Sequence, residues 1–120
     1  MKPIDPNDRR IANIHDTPYR SFVLPDGVAL GDQVLQLDQD QPLGEGFHVY
    51  RMPAGMTTRR HRHNGHEQFL VLEGELHEND GSVFRAGDMV WYRDGTEHNS
   101  FTPNGCLLAV HIVKGETAVE

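Results

Sequence analysis

Apolar residues along this chain fall in short runs. Some are continuous, as FLVL at 69–72, MVWY at 89–92 and CLLAVHIV at 106–113; others alternate with polar positions, as in GFHVYRM at 46–52. Gly, Pro, Asn or Asp breaks these runs roughly every eight to twelve residues, which is the punctuation of strands and turns. A period of two suits side chains that alternate between the faces of a sheet, and a helical period is nowhere sustained. The pattern predicts strands over 28–37, 46–52, 67–72, 75–78, 82–85, 89–92, 98–102 and 106–113. The sharpest turn signal is Asn79-Asp80-Gly81 between LHE and SVF, residue types that accept the positive φ of a tight hairpin.

Eight strands of this size close economically as a double-sheet jelly roll, which buries one face of each sheet in a shared interior where a ligand can sit. The stretch 75–86 is only a hairpin long, so no inserted subdomain covers that interior. The chain is therefore read as all-β, with residues 1–20 a polar, proline-bearing and loosely ordered extension and residues 21–120 a single barrel domain. Its 120 residues, 37% hydrophobic, suffice for one core and no second domain.

No apolar run is long enough to cross a bilayer as a helix, and MKPIDPNDRR lacks the apolar segment of a secretory signal, so a cytoplasmic protein with no membrane partner is expected. A net charge of -7 argues against nucleic acid, because phosphate binding needs clustered Lys and Arg. The only basic knot is Arg59, Arg60 and Arg62. The single cysteine, Cys106, excludes an intrachain disulfide and, at the head of CLLAVHIV, reads as a small buried hydrophobe.

The chemistry is concentrated in GMTTRRHRHNGHEQFLVLEG at 55–74, where His61, His63, His66 and Glu67 fall within seven positions; His98 follows downstream. Imidazole and carboxylate suit a divalent zinc, iron, manganese or nickel ion, and a site needs three or four such groups converging. A lone histidine beside arginines reads as a solvated loop. A pair at i, i+2 followed by a carboxylate does not. If Asn64 and Gly65 preserve strand alternation, His61, His63 and Glu67 share one face while Arg62 and His66 share the other. Strand neighbours do not readily reach one ion together, so His66 and Glu67 are alternatives.

Other positions are less decided by pattern. Either Phe47 and Val49 or the set His48, Tyr50 and Met52 faces the interior. His111 shares parity with Leu107, Ala109 and Val113 and is read as a partly buried histidine rather than a further ligand. Trp91 and Tyr92 point to opposite faces, one toward the core and one toward a subunit interface.

The spacing Gly55, five residues, His61-Arg62-His63, three residues, Glu67, six residues, Gly74 resembles the first motif of the cupin superfamily at every fixed position. A second cupin motif is recognisable in Gly87, Gly95 and, two residues on, His98, with Arg93 where the family has proline and Thr102 where it has asparagine. The resemblance implies a double-stranded β-helix (jelly-roll) cupin barrel holding one divalent metal ion per chain on His61, His63, Glu67 and His98. His98 enters on the resemblance alone. The wording HNGHEQFLVLEGEL, AGDMVWYRDGTEHNS and NGCLLAV is most similar to small cupins grouped with the cupin half of ChrR-type anti-sigma factors, over roughly residues 20–113.

For function, the resemblance implies metal-dependent chemistry on a small oxygen-bearing molecule. Dioxygenase-like cleavage of a carbon–carbon bond in a diketone-like compound comes first, with decarboxylation and isomerisation as further options. The alternative is a non-catalytic metal-dependent sensor or small-molecule-binding module related to the cupin half of anti-sigma factors. About twenty residues precede the cupin-like segment, fewer than the helical domain with which such a factor grips its sigma factor, which argues against sigma-factor binding and leaves a stand-alone enzyme or small-molecule binder as the better options. Exposed sheet edges and the habit of the family imply a homodimer, so the expected partners are a small-molecule ligand and a second copy.

Overall fold

A computed structural model of the chain describes residues 1–24 and 26–120. Among these the strands are β1 (Arg20–Val23), β2 (Ala29–Leu35), β3 (Gly46–Met52), β4 (His61–Arg62), β5 (Glu67–Glu78), β6 (Val83–Arg85), β7 (Met89–Tyr92), β8 (Glu97–His98), β9 (Ser100–Phe101), β10 (Cys106–Ile112) and β11 (Thr117–Ala118). The described helical structure is one 3-10 turn, Pro6–Asp8, and no helix is long and apolar enough to cross a membrane. A curled antiparallel sheet runs β1-β2-β3-β10-β5-β6, with β7 and β9 also bonded to β5; a small second sheet runs β11-β4-β8.

Alternation decides which side chains line the inside of the curl. Val34 lies opposite Tyr50, Tyr50 opposite Leu108, and Leu108 opposite Val71, which makes one inward row across β2, β3, β10 and β5. A second row is His48, Val110, Phe69 and Val90. Val34 and Val71 are each 1% exposed, and burying a side chain of this kind is worth about 1.5–3 kcal/mol. The set His48, Tyr50 and Met52 therefore faces inward, while Phe47 is outward and exposed. Cys106 packs with Met52, Met56 and Leu108 in the core, and burial pushes its thiol up to about 11.

The strands expected at 46–52 and 89–92 are found with those bounds. Elsewhere tertiary context redraws the pattern. The segments expected separately at 67–72 and 75–78 are one strand, β5, whose 12 residues would span about 40 Å if straight. It is not straight. Leu107 pairs with Glu73 but Leu108 with Val71, so Leu72 is an extra residue, a bulge that bends the strand. The inward face changes parity there: Glu67, Phe69 and Val71 are buried before it, Leu76 and Glu78 after it. The strand expected over 98–102 breaks at Asn99 into β8 and β9, and β1, β4 and β11 are too short or too polar to show in the hydrophobic pattern.

The amino-terminal segment lies against the outer face at one end of the sheet. Arg51 stacks on the Tyr19 ring at 3.8 Å and reaches Ile14 O, and His15 lies 3.4 Å from Glu73. Arg51 and Glu73 flank Leu107 in register, so this segment covers the outward Leu107. At the uncovered end of the same face His111 is exposed, which corrects its expected partial burial.

Gly74 sits at the corner of β5 with φ +79°, and a Cβ there would lie 2.1 Å from Gly105 O. Gly74→Ala is expected to cost about 3 kcal/mol or more, combining left-handed strain with displacement of packed backbone. Gly81→Ala, where a Cβ meets nothing within 4 Å, should cost only about 1–2 kcal/mol. Urea unfolding of both variants separates the two contributions, and equal losses would remove the close approach from this account.

Candidate metal centre

Register brings the histidines together. In the small sheet His61 lies directly opposite His98. One step beyond β4, His63 is held by its backbone on both sides: its N–H donates to Thr96 O at 2.9 Å and its carbonyl accepts from Gly95 N at 3.0 Å. The Asn64-Gly65 kink keeps the alternation. Gly65 takes φ +112° and its N–H donates to Asp94 Oδ1, so Glu67 returns to the face of His61 and His63. His61, His63, Glu67 and His98 are all buried. His66 is exposed, accepts from the Asp94 N–H on Nδ1 and packs near Trp91, away from the cluster.

The Nε2 atom of His63 lies 3.3 Å from that of His61 and 2.9 Å from that of His98, and Oε2 of Glu67 is 3.0 Å from the same His63 nitrogen. Atoms bound about 2.0–2.2 Å from one ion sit about 2.8–3.6 Å apart in octahedral or tetrahedral arrangements, so these separations match adjacent ligands. Two donor groups emerge, His61 with His63 and His98, and His63 with Glu67 and Glu116, each with ligand atoms within 4.8 Å of one another. His63 is common to both. Three buried histidines and neighbouring carboxylates could thus hold a metal ion.

Hydrogen bonding orients the rings for that task. His61 Nδ1 lies 2.8 Å from Arg59 O, and a carbonyl only accepts, so Nδ1 carries the hydrogen and Nε2 turns a lone pair to the centre. His98 Nδ1 lies 2.5 Å from Glu78 Oε2, while Glu78 Oε1 accepts from Ser100 Oγ at 2.7 Å. Lone pairs of His61 and His98 therefore both point at His63 Nε2, which has at most one hydrogen to give. Beyond its approach to His63 Nε2 at 3.0 Å, Glu67 Oε2 has no hydrogen-bond partner among the described residues, and the buried His63 Nδ1 has none; such an unpaired interior atom costs about 1–3 kcal/mol. A cation could serve as the partner these groups lack.

Electrostatics agrees. Burial first, with the rings of His98 and His63 adding to it, lowers His61 to about 4, so it is neutral and ligand-ready near pH 7. Burial acts most strongly on His63, against its imidazolium, but the carboxylates of Glu67, Glu116 and Glu78 together outweigh it and the net shift is upward. Crowding by protein, then the charge of Glu67, raises Glu116 to about 7.

The cluster opens on a cavity of about 290 Å³ whose walls are largely apolar, Val34, Phe69, Leu108 and Val110 among them. His61, Glu67, His98 and Glu116 stand at one side of it. Asp32, Tyr50 and His48 supply further polar groups: the Tyr50 hydroxyl donates to Asp32 Oδ2 at 2.5 Å, and His48 Nδ1 lies 3.1 Å from Gly46 O. Burial raises Asp32 and lowers His48. Arg59 lines the cavity and pairs with Asp26 at 3.0 Å.

The structure brings together all four residues the sequence singled out, although Glu67 meets the histidines through His63. It adds Glu78, which orients His98, and Glu116. Neither was foreseen: the β5 bulge reverses the parity that would have pointed to Glu78, and Glu116 lies in a polar tail without pattern. The inward face of β3 was the available signal for His48 and Tyr50.

The sequence matches the ChrR Cupin-like domain family over residues 7–115. No curated protein matches it. Among solved structures it is similar to an RmlC-like cupin protein from Ralstonia eutropha JMP134 (19% identity, TM-score 0.70, covering 90% of this chain and 70% of that one). It is similar to a chain of the Rhodobacter sphaeroides SigE complex with the anti-sigma ChrR (22% identity, TM-score 0.62, 88% of this chain and 51% of that one). It is also similar to an acetylacetone dioxygenase from Acinetobacter johnsonii (17% identity, TM-score 0.67, 100% of this chain and 82% of that one). At these identities the likeness establishes the cupin fold.

Glu78→Gln tests the orienting role. The amide oxygen still accepts from His98 but without charge, so divalent-ion affinity is expected to fall about tenfold, at the low end for such supporting residues. Chelator competition on the folded variant measures it, and unchanged affinity would make Glu78 a packing residue only.

Proposed function

The chain belongs to the ChrR cupin-like domain family, and from that footing we propose that it is a metal-dependent enzyme acting on a small oxygen-bearing molecule, with dioxygenase-like chemistry. The observation that carries this reading is the position of the histidine cluster in the wall of an apolar cavity rather than in solid core. Structural metal sites are closed by protein ligands, whereas catalytic ones keep a position for substrate. In this reading His61, His63, Glu67 and His98 hold one divalent ion per chain. Such an ion, when bound, supplies Lewis-acid polarisation and, if it is iron, a means of using dioxygen.

The chain's own residues do the rest. The apolar walls exclude water and accept the carbon skeleton of a small ligand. Asp32, tied up on one oxygen by Tyr50, offers the other to a ligand hydroxyl, and His48, with Nδ1 turned to Gly46, presents Nε2 as an acceptor. Arg59 gives the cavity a positive group that attracts an anionic or enolised substrate. A diketone-like molecule suits these features, and the likeness to an acetylacetone dioxygenase supports the class. In that reaction one carbon–carbon bond breaks and both atoms of the dioxygen co-substrate end in the products. The family itself favours a second reading, a metal-dependent sensor, since the ChrR-complex structure is also similar.

Purified without a polyhistidine tag, the protein is expected to carry one ion per chain, with metal content falling about tenfold or more in His61→Ala, His63→Ala or His98→Ala and unchanged in His66→Ala. Iron-loaded protein should consume dioxygen with a diketone, and His61→Ala should not. Stoichiometric metal without oxygen uptake or ligand-dependent spectral change, across diketones, catechol-like flavonoids and keto acids, would transfer the assignment to the sensor.

A homodimer belongs to the same proposal. Phe47, Met89 and Trp91 stand exposed on the outer face of β3, β10, β5 and β7, where Phe47, His111, Gln68 and Trp91 are in register. A two-fold axis would bury this row on itself. Light scattering should give twice 13.6 kDa for the native chain and the monomer mass for Trp91→Glu; a native monomer at micromolar concentration would end the claim.

A further inference from the structure

The tail after β10 returns across the mouth of the site. Thr117 pairs with Arg62 and Ala118 with His61, so β11 lies beside the strand that carries the first histidine. Side chains fix the approach: Asn64 Nδ2 donates to Gly115 O at 2.6 Å and Thr117 Oγ1 at 2.9 Å, and the Gly115 N–H donates to Glu45 Oε1 at 2.6 Å. Glu116 is thereby held between two anchored residues, with its Oε1 3.5 Å from His61 Nε2. It also forms a ligand group with His63 and Glu67. A separation of 3.5 Å again fits neighbouring donors on one ion, about 2.8–3.6 Å.

Resting on the metal-centre reading above, we propose that Glu116 is a fifth, displaceable ligand, a carboxylate that occupies the position a small anionic substrate must take. Three features separate it from the other four. It comes from the far end of the chain, just ahead of the edge strand β11, it lies one residue past the stretch matched by the family, and its side chain is 40% exposed where the others are buried. A ligand on such an edge can leave without disturbing the core, and the cavity beside it receives the incoming carboxylate or enolate. The tail thus acts as a built-in competitor: it saturates the ion when no substrate is bound and sets a threshold affinity that a substrate must exceed.

Cobalt(II) in the full-length protein reads this directly, because its visible bands depend on coordination number and donor type. The wild type, Glu116→Gln and His63→Ala are titrated with cobalt, then with acetate. Glu116→Gln is expected to keep the fold by circular dichroism, change the visible bands and lower cobalt affinity. If Glu116 holds its position nine-tenths of the time, the variant binds acetate about tenfold more tightly than the wild type. Wild-type bands and wild-type acetate affinity in Glu116→Gln would overturn the proposal while leaving the metal centre intact. Equal cobalt binding by the wild type and His63→Ala would instead overturn the metal centre, and this proposal with it.

Discussion

The bend in β5 is the constraint on which the rest of the molecule depends. One strand carries Glu67 at its start and Glu78 at its end, yet the first carboxylate touches His63 and the second holds His98. A straight strand of this length would separate them by the width of the domain. The extra residue at Leu72 and the left-handed Gly74 turn the strand back, and the same turn creates the curl that gives the sheet an inside. The cavity and the approach of Glu67 and Glu78 to the histidines thus share one cause. The register with β10 fixes it, because the Gly74 corner lies directly opposite Cys106, where no side chain fits between the backbones.

How far the sequence could be read follows from the same geometry. Alternation located the site from 61 to 67 because the kink at Gly65 preserves parity, so His61, His63 and Glu67 emerge on one side and His66 on the other. It failed past Leu72, where one inserted residue reverses the faces and hides Glu78. His98 could not come from local pattern at all, since what matters is its pairing opposite His61, a relation between strands far apart in sequence. His111 misled for another reason: Leu107, on the same face of β10, is covered by the amino-terminal segment, and that cover does not extend along the strand. Polar tails such as residues 113–120 have no periodicity, so nothing local announced that Asn64 anchors one of them beside the histidine cluster.

Within the site, buried and exposed parts divide the work. Buried hydrogen bonds to Arg59 O and Glu78 set the histidine tautomers, a rigid arrangement that costs nothing to assemble at the moment of binding. The exposed parts, Glu116 and Arg59, join the cavity lining to the surface. Between them, Asp32 and Tyr50 form a polar pair in an otherwise apolar wall, which gives the cavity two distinguishable ends and a bound molecule a preferred orientation.

The order of strands along the chain has a consequence for how the protein is made. β10 lies between β3 and β5, so two strands synthesised early have no mutual partner until the segment from Cys106 to Ile112 exists. Pairing of such sequence-distant segments is slow, because the loop must close before any contact rewards it. A nascent chain leaving the ribosome therefore carries His61, His63 and His98 before β10 is there to close the barrel. The apolar edges of β3 and β5 wait uncovered until then, which makes the interval before β10 inserts the period in which this chain most needs protection from aggregation.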